Sequence, residues 1–289
     1  MKNGNGWHRG IPMRYLNGRW METVAIAGCA AFGLAILFPA AGMARGWGKA
    51  EVCMANLHNL GRAWLEYPED NDGKLVNGMI PRSPEYANLQ YWLTNSVFGG
   101  PYKDNAWWVN PPIKADGTYA GGMSSDFVCL LEDEDNGIRS GKLFPYVGSS
   151  AVYHCPGDRS YLKTTDRGGK RTYSISALMH GEQPNSPECA HRYSEIRNPS
   201  SKLVFVESTD NRGWNMGSWM MNTPAPYSWI DPVSGWHNYR GALGFADGHM
   251  ELHLWVDPKT REMIDGGWWT SGSGILDMNY MAGVYLPKK

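Results

Sequence analysis

An excess of one charge is the first thing this chain lacks. Lys+Arg number 27 and Asp+Glu 28, so the composition offers no strongly basic surface of the kind nucleic-acid binding needs. Charge is scarce altogether, at 19% of residues, which limits how much of any surface salt-bridge networks can cover. No C-x-x-C pair occurs, and that removes the zinc-ribbon and thioredoxin-like readings. Neither G-x-S-x-G nor H-E-x-x-H occurs, and no Ser/His/Asp set stands out, so the common hydrolase motifs give no support for an enzyme. Turn formers, by contrast, are abundant. Gly 35 and Pro 18 imply a loop-rich domain with short strands. Trp 14 and Tyr 15 either fill a core or line a surface that stacks on sugars or on other subunits, and burial is the usual fate of a Trp body.

The longest apolar run covers Met21–Met43, METVAIAGCAAFGLAILFPAAGM, with Glu22 as its one charge. At 1.5 Å per residue such a run matches a hydrocarbon core about 30 Å thick. Lys2, Arg9, Arg14 and Arg19 precede it, so the positive-inside rule places residues 1–20 in the cytoplasm and the long C-terminal part across the membrane. A cleaved signal peptide competes, with Ala-Ala-Gly-Met-Ala as its cleavage site, but its apolar core would be shorter, roughly 7–15 residues. Beyond the run, Cys53, Leu57, Leu60 and Trp64 recur at helical spacing. Pro39 would kink the helix, and Pro68 with Asp-Asn-Asp-Gly at 70–73 would end it. The expectation is one long helix, transmembrane over 21–43 and amphipathic over 44–68, followed by a globular domain over 69–289.

That domain reads as α+β. Lys202–Glu207 is a buried strand. Ala242–Ala246 and His249–Val256 flank Asp247-Gly248, a hairpin dipeptide. Alternation puts His249, Glu251 and His253 on one strand face and Met250, Leu252 and Leu254 on the other. An antiparallel sheet packed on the amphipathic half of the helix follows. With His237, the polar face makes a candidate zinc set; the plainer reading is a solvated face, with His237 hydrogen-bonded to Asp247 to pin a loop. Among five cysteines, Cys29 lies in the apolar run and Cys53 on the helix. Cys129, Cys155 and Cys189 remain, and an exported domain would allow a Cys155–Cys189 bridge or leave all three as buried thiols.

Several segments in one order resemble a known family. They are CMANLHNLGRAWLEYPEDNDGKL (Cys53–Leu75), GKLFPYVGSSAVYHCPGDRS (Gly141–Ser160), RTYSIS (Arg171–Ser176), NPSSKLVFVES (Asn198–Ser208), and His237 followed after nine residues by Asp247-Gly248. With the apolar helix before them, they are similar to the prepilin-like proteins that carry an H-x9-DG motif, here residues 237–248. The resemblance implies a pilin-like fold with loop-rich insertions. It implies a structural, non-enzymatic pseudopilin-like subunit of a type II secretion or type IV pilus-like assembly. Its partners would be other pilin or pseudopilin subunits and the inner-membrane platform of the machine, with a prepilin peptidase. In such assemblies an acid near the start of the helix pairs with a neighbour's N-terminal ammonium, and Glu22 stands there. The leader departs from the family: Asn17 occupies the place of the usual glycine before the cleavage point, and Gly18 follows it. Major pseudopilins also hold calcium through oxygen ligands; the acidic run 132–136 and residues 70–73 read as oxygen-rich turns, which makes Asp133 and Asp135, and the turn 70–73, candidate Ca2+ ligands. A membrane-anchored carbohydrate-binding or adhesion module is the alternative, on the aromatic set Trp107, Trp108, Trp214, Trp219, Trp229, Trp236, Trp268 and Trp269.

Overall fold

The computed structural model describes residues 47–80, 107–120, 130–158, 169–208, 218–266 and 275–289, all within one compact unit. The expected membrane segment 21–43, with Glu22 and the Asn17-Gly18 site, lies outside these residues, as do Cys29, Cys129, Trp214, Trp268 and Trp269. Among the described residues no helix is long and apolar enough to cross a membrane.

Helix α1 runs over 47–70. Ala50, Cys53, Leu57, Leu60, Trp64 and Tyr67 alternate at spacings of three and four, so they form one stripe, and all six are buried. Glu51, Ala55, His58, Asn59 and Arg62 face solvent. The expected stop at Pro68 comes slightly later. A proline in the final turn forfeits one backbone hydrogen bond, which a helix about to end tolerates. Termination falls to the residues beyond: Asn71 Nδ2 donates to the Tyr67 carbonyl at 2.7 Å, and Asp72 and Gly73 take left-handed φ of 54° and 75°.

Strands β1 (Tyr173–Ile175), β2 (Leu203–Glu207), β5 (Arg240–Phe245) and β6 (Met250–Leu254) form an antiparallel sheet in the order β1-β2-β5-β6. Between them in sequence, β3 (Met221–Asn222) and β4 (Ser228–Trp229) pair as a separate two-stranded ribbon. The expected α+β architecture, an N-terminal helix with an antiparallel sheet, is therefore present. Register shifts between Leu203 and Phe205 on β2. Beyond that irregularity the side chains alternate. Phe205, like Tyr173, Ile175 and Ala242, joins the core that contains the α1 stripe, whereas Val206, Leu243 and Phe245 join a second core. Glu207, two residues past Phe205, is thereby aimed at the helix side.

The second core lies on the opposite face. There the sheet meets α4 (Pro258–Gly266), α5 (Ile275–Tyr285) and the ribbon, through Trp219, Trp229, Trp255, Met263, Met281 and Tyr285. The polar face expected to be solvated on β6 is so in part: the side chains of His249 and Glu251 are 46% and 39% exposed, whereas His253 stacks on Tyr280 of α5 at 4.0 Å between ring centroids. The acidic run 132–136 also departs from expectation. It is helical, within α2 (Leu131–Arg139), and a short helix α3 (Phe144–Val147) follows. Acids in a first helical turn are stabilised by the partial positive charge there. Asp133 in addition accepts the Leu130 N–H at 3.2 Å.

Gly61 faces β6. A side-chain carbon there would sit 2.5 Å from Met250 Cε, the end of a flexible side chain, and 3.9 Å or more from the backbone of Gly248. Glycine in a helix interior costs about 1 kcal/mol relative to alanine, and here it makes room for a strand residue. Burying Leu57 and Leu60 against the sheet contributes roughly 1.5–3 kcal/mol each. Leu60→Ala is therefore expected to lower the unfolding free energy by about 2–5 kcal/mol, the cost of a cavity in a packed core. Val52→Ala, at a half-exposed position of the same helix, should stay within about 0.5 kcal/mol. Guanidinium unfolding of the full-length chain in detergent checks both.

Candidate functional site

Cys53, Cys155, Glu207 and His237 converge on one buried point, with one side-chain donor atom from each lying within 4.8 Å of the others. Four different segments supply them. Cys53 belongs to the α1 stripe. Glu207 ends β2, where the alternation turns it toward the helix. Cys155 begins the turn Cys-Pro-Gly-Asp, closed by the Asp158 N–H on the Cys155 carbonyl at 3.0 Å. The Cys155 N–H is itself held by Thr172 Oγ1 at 2.7 Å. His237 precedes β5.

Backbone geometry aims the histidine inward. Asn238 and Tyr239, immediately after it, both take left-handed φ, at 57° and 56°. Each such residue without a glycine's freedom costs about 1 kcal/mol or more, and strain of this kind gathers at sites that need a particular side-chain direction. Gly157 supplies the space: a side-chain carbon there would lie 2.8 Å from Trp236 Cβ, 3.1 Å from His237 Cε1 and 3.2 Å from Cys155 Sγ.

The polar contacts close on themselves. Cys53 Sγ donates to Glu207 Oε1 at 3.0 Å, His237 Nε2 lies 3.3 Å from the same oxygen, and Cys155 Sγ is 3.2 Å from His237 Nε2. Glu207 Oε2 accepts the Ala242 N–H at 3.0 Å, so one carboxylate oxygen is tied to the backbone and the other faces the cluster. Tyr173 Oη donates to Cys53 Sγ at 3.0 Å, and the Gly157 N–H donates to Cys155 Sγ at 3.2 Å. Burial disfavours charge on both Glu207 and His237, yet their mutual contact and the neighbouring thiols outweigh it. Glu207 is held below the usual carboxylate range, and His237 is raised to about 10. The bond with Cys155 and burial push the Cys53 thiol up. The result is a buried imidazolium–carboxylate pair flanked by two thiols.

Of the two readings of the cysteines, buried thiols hold for Cys155 and Cys189, which are free and lie in different cores; among the described residues the cysteine beside Cys155 is Cys53. His237 does not bond Asp247. The nine intervening residues contain the whole of β5, and at roughly 3.3 Å per residue its six residues hold the two ends on the order of 20 Å apart. Asp247 instead accepts from the His249 backbone N–H at 3.1 Å and meets His249 Nδ1 at 2.5 Å. Gly248 takes φ 90° in the turn, which docks on Leu65 of α1. The expected zinc set is dispersed as well. His253 Nδ1 meets Glu251 Oε1 at 2.9 Å, and Glu251 Oε2 accepts from Tyr280 at 2.7 Å. His249 and His253, four strand residues apart, share no centre.

The acids considered for calcium have protein partners. Asp133 caps α2, and Asp135 pairs with Arg139 at 2.6 Å and Lys170 at 3.6 Å. Glu134 is buried and accepts three backbone N–H groups, from Gly169, Lys170 and Arg171. Among the described members of the aromatic set, Trp107, Trp108, Trp219 and Trp229 are buried and Trp236 is half-buried.

Two members of the tetrad were not singled out as a site from sequence. Cys53 reads as one small apolar residue of a helical stripe, and Glu207 as the acid after a hydrophobic strand. The usable signal was the acid itself, since a carboxylate at the end of a strand buried along its whole length needs a partner. In comparisons with protein-family models, with curated proteins and with solved structures, nothing matched this chain.

Glu207→Ala leaves the His237 charge buried without its counter-ion, and is expected to cost about 3–5 kcal/mol of stability. Asp135→Ala removes a largely solvent-screened pair and should cost no more than about 1 kcal/mol. Parallel denaturation of the two full-length variants, followed by near-ultraviolet circular dichroism of the buried tryptophans, distinguishes them.

Proposed function

We propose that this chain is a membrane-anchored, non-enzymatic subunit of a pilin-like assembly of the type II secretion or type IV pilus class. In this reading segment 21–43 holds the chain in the inner membrane, residues 1–20 stay in the cytoplasm and the α+β unit works on the other side. The observation that carries the reading is α1. It follows the apolar segment closely in sequence, and five of its stripe residues, Cys53, Leu57, Leu60, Trp64 and Tyr67, share one core with Tyr173, Ile175, Phe205 and Ala242 of the antiparallel sheet. A helix built into the core along most of its length suits a spine that links an anchor to an exported head. Glu22 is the assembly residue. A carboxylate at the start of an apolar segment is costly among packed helices unless a neighbouring subunit brings a positive charge to it. Burial of Trp107, Trp108, Trp219 and Trp229 takes those four rings out of the glycan-binding alternative, because stacking on a sugar needs an exposed ring face.

N-terminal mass analysis of the membrane-extracted protein tests the processing step. A methylated start at Gly18 or Arg19 is the expected result, and an intact Met1 would mean a permanent anchor outside the pilin-like pathway. Assembly has its own test. In cells, Glu22→Leu should leave the chain in the membrane fraction but abolish the ladder of cross-linked subunits that the unaltered chain forms. A ladder unchanged by the substitution, or a chain recovered entirely in the soluble fraction, would overturn the proposal.

A further inference from the structure

We propose that Cys53, Cys155, Glu207 and His237 form a binding site for one divalent transition ion of the zinc class, and that the ion fastens α1 to the sheet. The inference stands on the geometry of the cluster and does not depend on the pilin-like reading.

Donor spacing is the first support. A tetrahedral zinc ion with bonds of about 2.3 Å to sulfur and about 2.0–2.1 Å to nitrogen and oxygen has ligand atoms on the order of 3.3–3.8 Å apart. The contacts here are 3.0 Å from Cys53 Sγ to Glu207 Oε1, 3.2 Å from Cys155 Sγ to His237 Nε2 and 3.3 Å from His237 Nε2 to Glu207 Oε1. These three contacts would lengthen by a few tenths of an ångström around an ion, and the remaining donor pairs all lie within 4.8 Å.

The surroundings of the donors are the second. All four residues are buried, so their polar atoms answer to one another and not to water. The Ala242 N–H occupies Glu207 Oε2 and leaves Oε1 as a single ligand oxygen. Tyr173 Oη and the Gly157 N–H point at the two sulfurs, where donors stabilise thiolate charge and orient the ligand. His237 presents Nε2 to the cluster, and its Nδ1 has no hydrogen-bond partner among the described residues. The ring is therefore aimed by the left-handed residues 238–239 and by its packing on Gly157, not by a second hydrogen bond.

The donor set selects the ion. Two sulfurs and an imidazole suit a borderline-soft ion, whereas calcium and magnesium take oxygens. On loading, the thiol protons and the imidazolium proton pass to solvent. The ion then sits among two thiolates, one carboxylate and a neutral imidazole, with a net charge of −1 in place of a neutral cluster. Because the ligands come from α1, the Cys155 turn, β2 and the entry to β5, bound metal would add directly to the stability of the folded state.

Cobalt(II) is the probe. The full-length chain, extracted in detergent with its thiols kept reduced and then stripped by a chelator, is titrated with cobalt. The expected result is one equivalent bound, a thiolate-to-cobalt charge-transfer band in the near ultraviolet, the visible bands of a tetrahedral site, and displacement of all three by zinc. Cys155→Ser should lose about half of the charge-transfer intensity, one of the two cobalt–sulfur bonds, while Cys189→Ala and His249→Ala keep all of it. Since Cys155→Ser could misfold, the unaltered chain carries a second readout. Zinc should raise the unfolding midpoint of the stripped, unaltered chain in step with the logarithm of its free concentration, and calcium should not. A folded, reduced chain that takes up no cobalt overturns the proposal. So does a chain alkylated at the moment of extraction that proves two hydrogens lighter, with Cys53 and Cys155 joined as a disulfide, because such a bridge uses neither Glu207 nor His237.

Discussion

Contact between the α1 stripe and the sheet is what the rest of the described structure depends on. Six buried positions span about five turns of the helix, and five of them share a core with strands that begin only at residue 173. The sheet cannot be stable without that cover. Its two outer strands are short, at three and five residues, and an exposed apolar face would remain where α1 now sits. Nor is the helix stable by itself, because its propensity is interrupted by Gly61 and its stripe is too apolar for water. Each element supplies the surface that the other lacks.

Within that apolar contact lies one polar inclusion. Glu207 and His237 are charged groups in a place that disfavours charge, and they remain charged because each is the other's partner. The thiols of Cys53 and Cys155 fill the remaining hydrogen-bonding positions. A hydrophobic replacement of the whole cluster would pack as well, so stability alone does not account for it. Four polar residues brought together from four segments, with two strained residues and a required glycine beside them, are better understood as a site than as a fastening.

How far the chain could be read before folding depended on the range of the interaction. The α1 stripe, the buried strand ending in Glu207 and the Asp247-Gly248 turn are local patterns, set by spacings of three to four residues, two residues and a single dipeptide, and each appears where expected. Position beyond the local pattern did not follow. His237 and Asp247 looked like partners because a short motif contains both, but the strand between them keeps them apart. The acidic run 132–136 looked like a turn, yet its charges suit the first turn of a helix. The polar face of β6 looked solvated throughout, but α5 covers its His253 end.

By itself, then, the sequence determined that a helix with one apolar stripe would meet an antiparallel sheet with alternating faces, because backbone periodicity and burial need only neighbours along the chain. Which side chains meet across that contact was decided by the tertiary structure alone. Cys53 and Cys155 are about a hundred residues apart, and Glu207 and His237 thirty. Their encounter depends on strand order, on the register shift in β2 and on the bend after His237, none of which leaves a periodic trace in the chain.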